Sequence, residues 1–155
     1  MELADILSEE SVLAYDKVRD KAGLLEILAN QAAKISEQDP QAILEALTAR
    51  EALGSTGLGN GIAIPHGKLP GLKKVIAVFA RLAQPVEFDS VDDQPVDLAF
   101  MLLAPTGAGA DHLKALARVA RLLRTDTLVE ALRSADDPAK LYSLLTAAVP
   151  SQNAA

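Results

Sequence analysis

Apolar residues recur along this chain in two rhythms, one typical of helices and one typical of strands. Over residues 19–35 they lie three or four positions apart, which predicts an amphipathic helix. Residues 75–82 and 96–103 form apolar runs rich in β-favouring side chains, the pattern of strands buried on both faces of a sheet. Shorter stretches over residues 11–15 and 61–64 are also predicted to be strands.

Capping residues indicate where further helices begin and end. Asp39 and Asp137 each precede a proline, which is the order of an N-cap and a first helical residue. Gly54 is expected to end the helix that Asp39 begins. Asp111 is predicted to cap another helix over residues 112–123.

The predicted elements together indicate an α/β fold class. Asp126 is predicted to begin a short helix, and the last helix to reach about residue 148, with a frayed tail over residues 150–155. Alternating helices and strands predict an α/β sandwich, a mixed and mainly buried β-sheet flanked by helices on both faces. We expect a single domain over residues 1–155, with an ordered core over about residues 10–148. The order of the strands does not follow from the pattern.

Composition narrows the possible functions. The chain has 15 Lys and Arg against 21 Asp and Glu, a formal net charge of −6, so we expect no nucleic-acid binding and consider a basic protein partner. The absence of cysteine excludes disulfides, thiolate metal sites and a cysteine nucleophile. The longest apolar run, residues 98–104, is far shorter than the ~20 residues of a membrane span. The N-terminal residues do not resemble a signal peptide, so we expect a cytoplasmic protein without a membrane span.

The segment GSTGLGNGIAIPHGK, residues 54–68, carries the most specific pattern in the chain. Its histidine, His66, lies between a proline that fixes φ and a glycine that permits unusual backbone, so its imidazole is expected on a rigid turn after a strand. A neutral imidazole is nucleophilic near pH 7 and suits a phosphoryl group as acceptor. On the pattern alone, however, a loop histidine is more often a surface residue or a structural hydrogen-bonding group.

The glycines of this segment do not form a nucleotide-binding loop. The spacing around Gly67 and Lys68 does not match a P-loop, and the dinucleotide fingerprint fails because Ile62 stands where its last glycine would be. We interpret the glycines as tight turns and expect no cofactor. The turns would direct backbone N–H groups, with the hydroxyls of Ser55 and Thr56, towards a phosphoryl oxygen.

Arg50, Glu51 and the block that ends at Lys68 closely resemble the active-site signature of the fructose/mannitol-type enzyme IIA proteins of the bacterial phosphotransferase system, with the nitrogen-regulatory branch as the nearest match. The resemblance extends over about residues 13–145 and includes Asp111-His112-Leu113. It implies the same α/β sandwich. It also implies that His66 accepts a phosphoryl group on Nε2 from a histidine phosphocarrier protein, which makes the chain a phosphotransferase component with a phosphohistidine intermediate.

The resemblance implies roles for further residues. Arg50 would steady charge on the transferring oxygens, although on the sequence alone it is equally a solvated cation at a helix end. His112 would face His66 and support the phosphoryl group, although a first-turn histidine is more often incidental. Ser55 and Thr56 would help to stabilise the group, and the rim that contacts the partner would consist of Leu58, Lys68 and Leu69. Two histidines without a recognised third ligand do not predict a metal site.

Three functions remain open at this point. The first is a nitrogen or metabolic regulator that acts on target proteins through its phosphorylation state. The second is a sugar-transport enzyme IIA that passes the phosphoryl group to a separate enzyme IIB. The third is a protein-binding module in which His66 is not phosphorylated. The absence of a cysteine and of a membrane span favours the first over the second, because transporter versions are often fused to domains that carry these features.

Overall fold

The chain folds into five α-helices and six β-strands over residues 2–154 in a computed structural model, which describes side chains up to residue 147. One strand and two helices come first, five strands follow, and three helices end the described chain. The helices are α1 (Lys21–Ser36), α2 (Pro40–Ala52), α3 (Ala110–Leu122), α4 (Asp126–Ser134) and α5 (Pro138–Ala154). The strands are β1 (Val12–Tyr15), β2 (Gly57–Gly59), β3 (Ile62–Ala63), β4 (His66–Leu69), β5 (Ile76–Val86) and β6 (Val96–Pro105). The predicted α/β class is confirmed.

The strands form one mixed sheet in the order β1-β5-β6-β3-β2, with β4 also beside β6. β5 and β6 are antiparallel at its centre, β1 lies parallel to β5, and β3 and β4 lie parallel to β6. β3 pairs with residues 98–99 and β4 with residues 102–105. The two short strands therefore follow one another along the same edge of β6.

Both faces of the sheet are buried. Successive residues of a strand point to opposite faces, and on one face Phe79 and Phe100 meet edge to face with ring centroids 5.8 Å apart. These rings belong to a cluster that includes apolar residues of α3, α4 and α5. On the other face Val78 and Met101 pack in a cluster with α1 and α2. The expectation of helices on both faces is confirmed.

The predicted boundaries of α2 are confirmed by its caps. Asp39 accepts a hydrogen bond from the amide of Gln41 at 3.1 Å, and Pro40 is the first helical residue. The helix ends at Ala52, and Gly54 beyond it has a φ of +146°, which residues with a Cβ rarely adopt. The end of α2 is thus fixed at the position from which the glycine-rich segment begins.

Other predicted boundaries are corrected. α3 begins at Ala110 with Gly109 as its N-cap, so Asp111 lies in the first turn and does not cap the helix. The strand predicted over residues 61–64 is limited to Ile62–Ala63. β2 and β4 were not predicted, because three or four residues that include glycine are too few to display a two-residue period.

The last helix, α5, is described with its side chains up to residue 147 and in its backbone alone over residues 148–154. Asp137 accepts a hydrogen bond from the amide of Ala139 at 3.2 Å, which confirms the predicted start of α5. The prediction that this helix ends at about residue 148 and that a frayed tail covers residues 150–155 is corrected, because the backbone of α5 is helical to Ala154; residue 155 lies outside the described residues. Within the described part of the chain, no helix has both the length and the hydrophobicity needed to cross a bilayer.

Candidate functional site

His66 lies where the edge of β6 passes from one short partner strand to the next. β3 ends at Ala63, and β4 begins at His66 itself. The sequence predicted that His66 lies on a turn, and the structure corrects this, because the histidine is the first residue of a strand. Pro65 between them has no N–H, but its carbonyl accepts a hydrogen bond from the amide of Leu102 at 2.9 Å. The backbone on both sides of the half-buried imidazole is therefore attached to the central strand.

Gly67 explains how α2 comes close to this strand. A Cβ at Gly67 would lie only 3.3 Å from the Cβ of Ala46 on α2, which is tighter than ordinary van der Waals contact between carbon atoms. Glycine at this position therefore lets α2 pack directly against β4. The close packing places the last turn of α2, which carries Arg50, beside His66.

The hydrogen bonds of His66 define its tautomer. Nδ1 lies 2.8 Å from the carbonyl oxygen of Ile64, and a carbonyl can only accept, so Nδ1 carries the proton and donates it. In the neutral ring, Nε2 therefore holds the free lone pair. Arg50 donates from its Nε to this atom over 3.3 Å. Nε2 is thus the nucleophilic atom of the site.

Arg50 is fixed beside the imidazole. Its Nη1 donates to the carbonyl of Gly54 at 2.8 Å, and the residue is half-buried. It is therefore not a freely solvated cation at a helix end. A guanidinium has five N–H donors in a planar fork, so donors remain for the oxygens of an anionic group bound at Nε2.

His112 faces His66 from the first turn of α3. Its side chain is buried, with the residue only 6% exposed, and the two imidazole centroids are 5.6 Å apart with their planes inclined at 52°. Burial is the main cause that lowers the pKa of His112, and electrostatic repulsion from the neighbouring His66 and Lys68 side chains on protonation of His112 lowers it further. Its Nδ1 is buried and has no hydrogen-bond partner among the described residues. A neutral imidazole with free hydrogen-bonding capacity therefore lies across the site from His66.

Ser55 and Thr56 do not hold the positions expected of phosphoryl-binding hydroxyls. Ser55 Oγ donates to the carbonyl of Phe88 at 2.7 Å and accepts from the amide of Gly57 at 3.0 Å. Thr56 is buried, and its Oγ1 donates to Glu51 Oε2, while its amide donates to Glu51 Oε1 at 3.0 Å. Both hydroxyl protons are used within the protein. The expectation that these hydroxyls face a phosphoryl oxygen is corrected accordingly.

Of the three residues predicted for the partner rim, two lie at the surface and one is buried. Lys68 is exposed and Leu58 is 52% exposed, as a surface contact requires. Leu69 is buried at 5% exposure and packs in the core with α1 and α2, so its place on the rim was wrong. As the last residue of β4, Leu69 points to the buried face of a strand that the sequence did not reveal.

Three exposed apolar residues that were not predicted lie next to segments that carry the site or next to β2. Leu53 is 84% exposed and precedes Gly54, Leu113 is 66% exposed and follows His112, and Val91 is 78% exposed. The amide of Val91 donates to the carbonyl of Gly57 at 3.3 Å, which brings this residue next to β2. We call Leu53, Leu58, Val91 and Leu113 the apolar rim. In the sequence, Leu53, Leu58 and Leu113 lie within or next to the functional segments, whereas the position of Val91 follows only from its hydrogen bond to Gly57.

The site contains no obvious place for a metal ion. Among the described residues, no three His, Cys, Asp or Glu side chains come together as a possible ligand group. The arrangement is instead a nucleophilic nitrogen between a guanidinium and a second imidazole. Such an arrangement can accept a transferable anionic group without a metal ion.

An α/β sandwich with a histidine, an arginine and a second histidine at its site defines a class of protein. Comparison with known sequences identifies that class. Residues 5–148 match the family model described as phosphoenolpyruvate-dependent sugar phosphotransferase system, EIIA 2. The chain belongs to this family.

Individual relatives show which members of the family the chain is similar to. A nitrogen regulatory protein of Bradyrhizobium diazoefficiens is 50% identical over 155 residues, all of both chains. A fructose-specific EIIA component of Haloferax volcanii is 34% identical over 96% of this chain and 97% of its own. The crystal structure of nitrogen regulatory protein IIA-Ntr from Neisseria meningitidis superposes with a TM-score of 0.87 at 35% identity, covering 92% of this chain and 98% of the other. The chain is therefore similar to nitrogen regulatory members of the family along nearly its whole length.

Proposed function

We propose that the protein is a phosphoryl carrier in which Nε2 of His66 accepts the group from a phosphohistidine on a histidine phosphocarrier protein. The observation that supports this most directly is the hydrogen bond from Nδ1 to the Ile64 carbonyl, which leaves the lone pair on Nε2. Membership of the EIIA 2 family supports the same chemistry. The protein would meet its carrier in the cytoplasm.

The transfer step exchanges one phosphorus–nitrogen bond for another. The Nε2 lone pair of His66 attacks phosphorus while the bond to the carrier's imidazole breaks, and the electron pair of that bond returns to the carrier's ring nitrogen. Phosphoryl transfer passes through a loose transition state, for which positioning and charge stabilisation supply most of the catalysis. No cofactor is required, because the phosphoramidate is already activated.

Arg50 and His112 are the residues placed to stabilise the transferring group. Once Nε2 bonds to phosphorus it can no longer accept from Arg50, so the Nε–H of Arg50 is free to donate to a phosphoryl oxygen. His112 lies across the site with a centroid separation of 5.6 Å from His66, and its lowered pKa favours the neutral ring. A dianionic group at His66 would favour protonation of His112 and strengthen that contact.

Within this chemistry, the regulatory role is the better supported one. The similarity to nitrogen regulatory proteins covers all of one relative and most of a solved structure. Phosphorylation would add up to two negative charges at His66, between Arg50 and His112, which changes the surface offered to a target protein. The second candidate function is transfer of the phosphoryl group to a separate enzyme IIB. The similarity to a fructose-specific EIIA component supports it.

Incubation with the phosphocarrier, its kinase and phosphoenolpyruvate tests the proposal. The wild-type protein should gain one phosphoryl group that is labile to acid and stable to alkali, as phosphoramidates are. His66→Gln should gain none, whereas His112→Gln should still gain one, more slowly. Labelling of His66→Gln would overturn the assignment, and a wild-type protein that binds the carrier without being labelled would identify a binding module instead.

A deletion strain separates the regulator from the sugar transporter. Complementation with wild-type protein but not with His66→Gln should restore the response to nitrogen source, while sugar uptake stays unchanged throughout. Loss of uptake of one sugar on deletion would instead support transfer to an enzyme IIB.

A further inference from the structure

Glu51 is a buried carboxylate that lies directly behind the site. Its side chain is 5% exposed, and Lys21 Nζ lies 3.0 Å from its Oε1. Both the amide and the hydroxyl of Thr56 donate to the same carboxylate. Burial of a carboxylate costs free energy unless the carboxylate is paired and hydrogen-bonded. Even a paired buried carboxylate often adds no net stability to a fold. We therefore interpret the three donors around Glu51 as a device that holds neighbouring residues in position.

The hydrogen bonds of Glu51 continue to the imidazole of His66. The amide of Thr56 donates to Glu51, and the carbonyl of Thr56 accepts from the amide of Ile64 at 3.1 Å. The carbonyl of Ile64 in turn accepts from Nδ1 of His66 at 2.8 Å. Three hydrogen bonds through two residues thus connect the carboxylate to the ring.

Two consecutive residues in the last turn of α2 are therefore connected to the imidazole of His66, one to each ring nitrogen. Arg50 contacts Nε2 directly, and its neighbour Glu51 acts on Nδ1 through Thr56 and Ile64. Lys21 holds Glu51 from the first turn of α1, and its Nζ also lies 4.5 Å from the centre of the Phe88 ring. The carboxylate is thus held on one side by a cation and on the other by the glycine-rich segment.

We propose that Glu51, held by Lys21, is a positioning residue that fixes the orientation and the tautomer of His66. It does so by holding Thr56, and with it the Ile64 carbonyl that accepts the Nδ1 proton. The effect on phosphoryl transfer rests on the proposed function, but the effect on the imidazole does not. Thr56 thereby acts as a link in the support of His66 and not as a phosphoryl ligand.

Glu51→Gln tests this with the least change of shape. A glutamine has one acceptor oxygen and an NH₂ donor group, so it cannot accept from both donors of Thr56 and pair with Lys21. Side-chain ¹⁵N NMR of the wild type should show His66 protonated on Nδ1 and bare on Nε2. In Glu51→Gln the Nε2-protonated tautomer should become detectable, and transfer at saturating carrier should slow by about tenfold or more, since misplacement by 1 Å can cost about 10²-fold.

Asp97→Asn is the matched control. Asp97 is a partly buried carboxylate that accepts three hydrogen bonds from Arg133, two of them 2.9 Å long and one 3.2 Å long, away from the site. This variant removes a comparable ion pair, so it should lower the melting temperature without altering the His66 spectrum or the transfer rate. It separates a specific effect on His66 from a general loss of stability.

A second variant covers the case in which Glu51→Gln does not fold. Thr56→Val keeps the amide that donates to Glu51 and removes only the hydroxyl, so its effects on tautomer and rate should be in the same direction and smaller. If the foldable variants keep the wild-type His66 spectrum, or if Asp97→Asn changes it equally, the positioning role is overturned. If the wild type accepts no phosphoryl group, the proposed function fails while the spectra still decide the role of Glu51.

Discussion

Arg50 donates from its Nε to Nε2 of His66 over 3.3 Å, and so occupies the direction from which a phosphoryl group would arrive in the proposed transfer. The same guanidinium is also bonded to the carbonyl of Gly54 through Nη1. Formation of a bond at Nε2 must displace the first contact and leaves the second available. In the proposed function, the residue that contacts Nε2 of His66 in the free protein would thus also bind the transferred group.

Replacing Arg50 should slow transfer without preventing it. Loss of one donor to a transition state costs ~2.7–4 kcal/mol, so Arg50→Ala should reduce the single-turnover rate by roughly 10²–10³-fold at saturating carrier. Arg50→Lys should recover only part of the rate, because an ammonium lacks the planar fork of donors. Arg133→Ala, on α4, is the control and should transfer at the wild-type rate. Equal rates in Arg50→Ala and the wild type would show that Arg50 has no part in the step.

His112 should make the stability of the protein depend on pH. Its pKa is lowered in the folded protein, chiefly by burial, so below about pH 6.5, the ordinary value for histidine, the unfolded chain binds more protons than the folded one. The free energy of unfolding should therefore fall as pH decreases from about 6.5 towards the lowered value. In His112→Gln this part of the slope should disappear. Denaturant unfolding across this range measures it, and identical slopes in the two proteins would contradict the assignment.

The long elements of the fold could be predicted because their pattern is local. β5 and β6 are strongly apolar, and α2 carries its own signals in Asp39 and Gly54. β2 and β4 escaped prediction because they are stabilised by pairing with β3 and β6, not by a pattern of their own. Leu69 was misplaced for this reason, since its orientation is set by the register of β4 on β6.

The sequence could predict which residues form the site, but not the hydrogen bonds between them. His66, Arg50 and His112 were recognised from their motifs, and the structure brings them together. The partners of Thr56 were not predictable, because a hydroxyl in a glycine-rich turn has several possible acceptors and only the end of α2 decides between them.

The apolar rim should contribute affinity for the carrier and little to the chemistry. Leu53 and Leu113 are 84% and 66% exposed, so Leu53→Ser and Leu113→Ser should leave the fold intact. Each should raise the carrier concentration for half-maximal transfer by about tenfold, which corresponds to about 1.4 kcal/mol at an interface centre. The rate at saturation should stay within a factor of about two, since neither residue reaches the reacting atoms. Tyr15→Ser, a 41% exposed residue on β1, is the control and should leave both values unchanged.

The loop beside β2 and the outer face of α3 carry opposite charges, which indicates where a basic carrier would bind. The loop over residues 87–93 exposes four carboxylates around Val91, from Glu87, Asp89, Asp92 and Asp93. Its link to β2 through the Val91 amide and the Gly57 carbonyl places it beside Leu58. The outer face of α3 carries the opposite charge, with exposed Lys114 and Arg121. A basic carrier should therefore approach over the 87–93 loop.

Neutralising this loop should slow association and remove its dependence on salt. Complementary charge mainly raises the association rate, and salt screens it, with a Debye length of about 10 Å at 0.1 M. Transfer at sub-saturating carrier should slow as ionic strength rises, while the rate at saturation changes little. The double variant Asp89→Asn/Asp93→Asn should be slower at low salt and nearly insensitive to salt. Asp92 is left intact because its carboxylate accepts from the amides of Asn60 and Gln94 and holds the turn. If salt dependence instead disappears in Lys114→Gln/Arg121→Gln, the carrier approaches with an acidic surface over α3, and the acidic loop has no part in recognition.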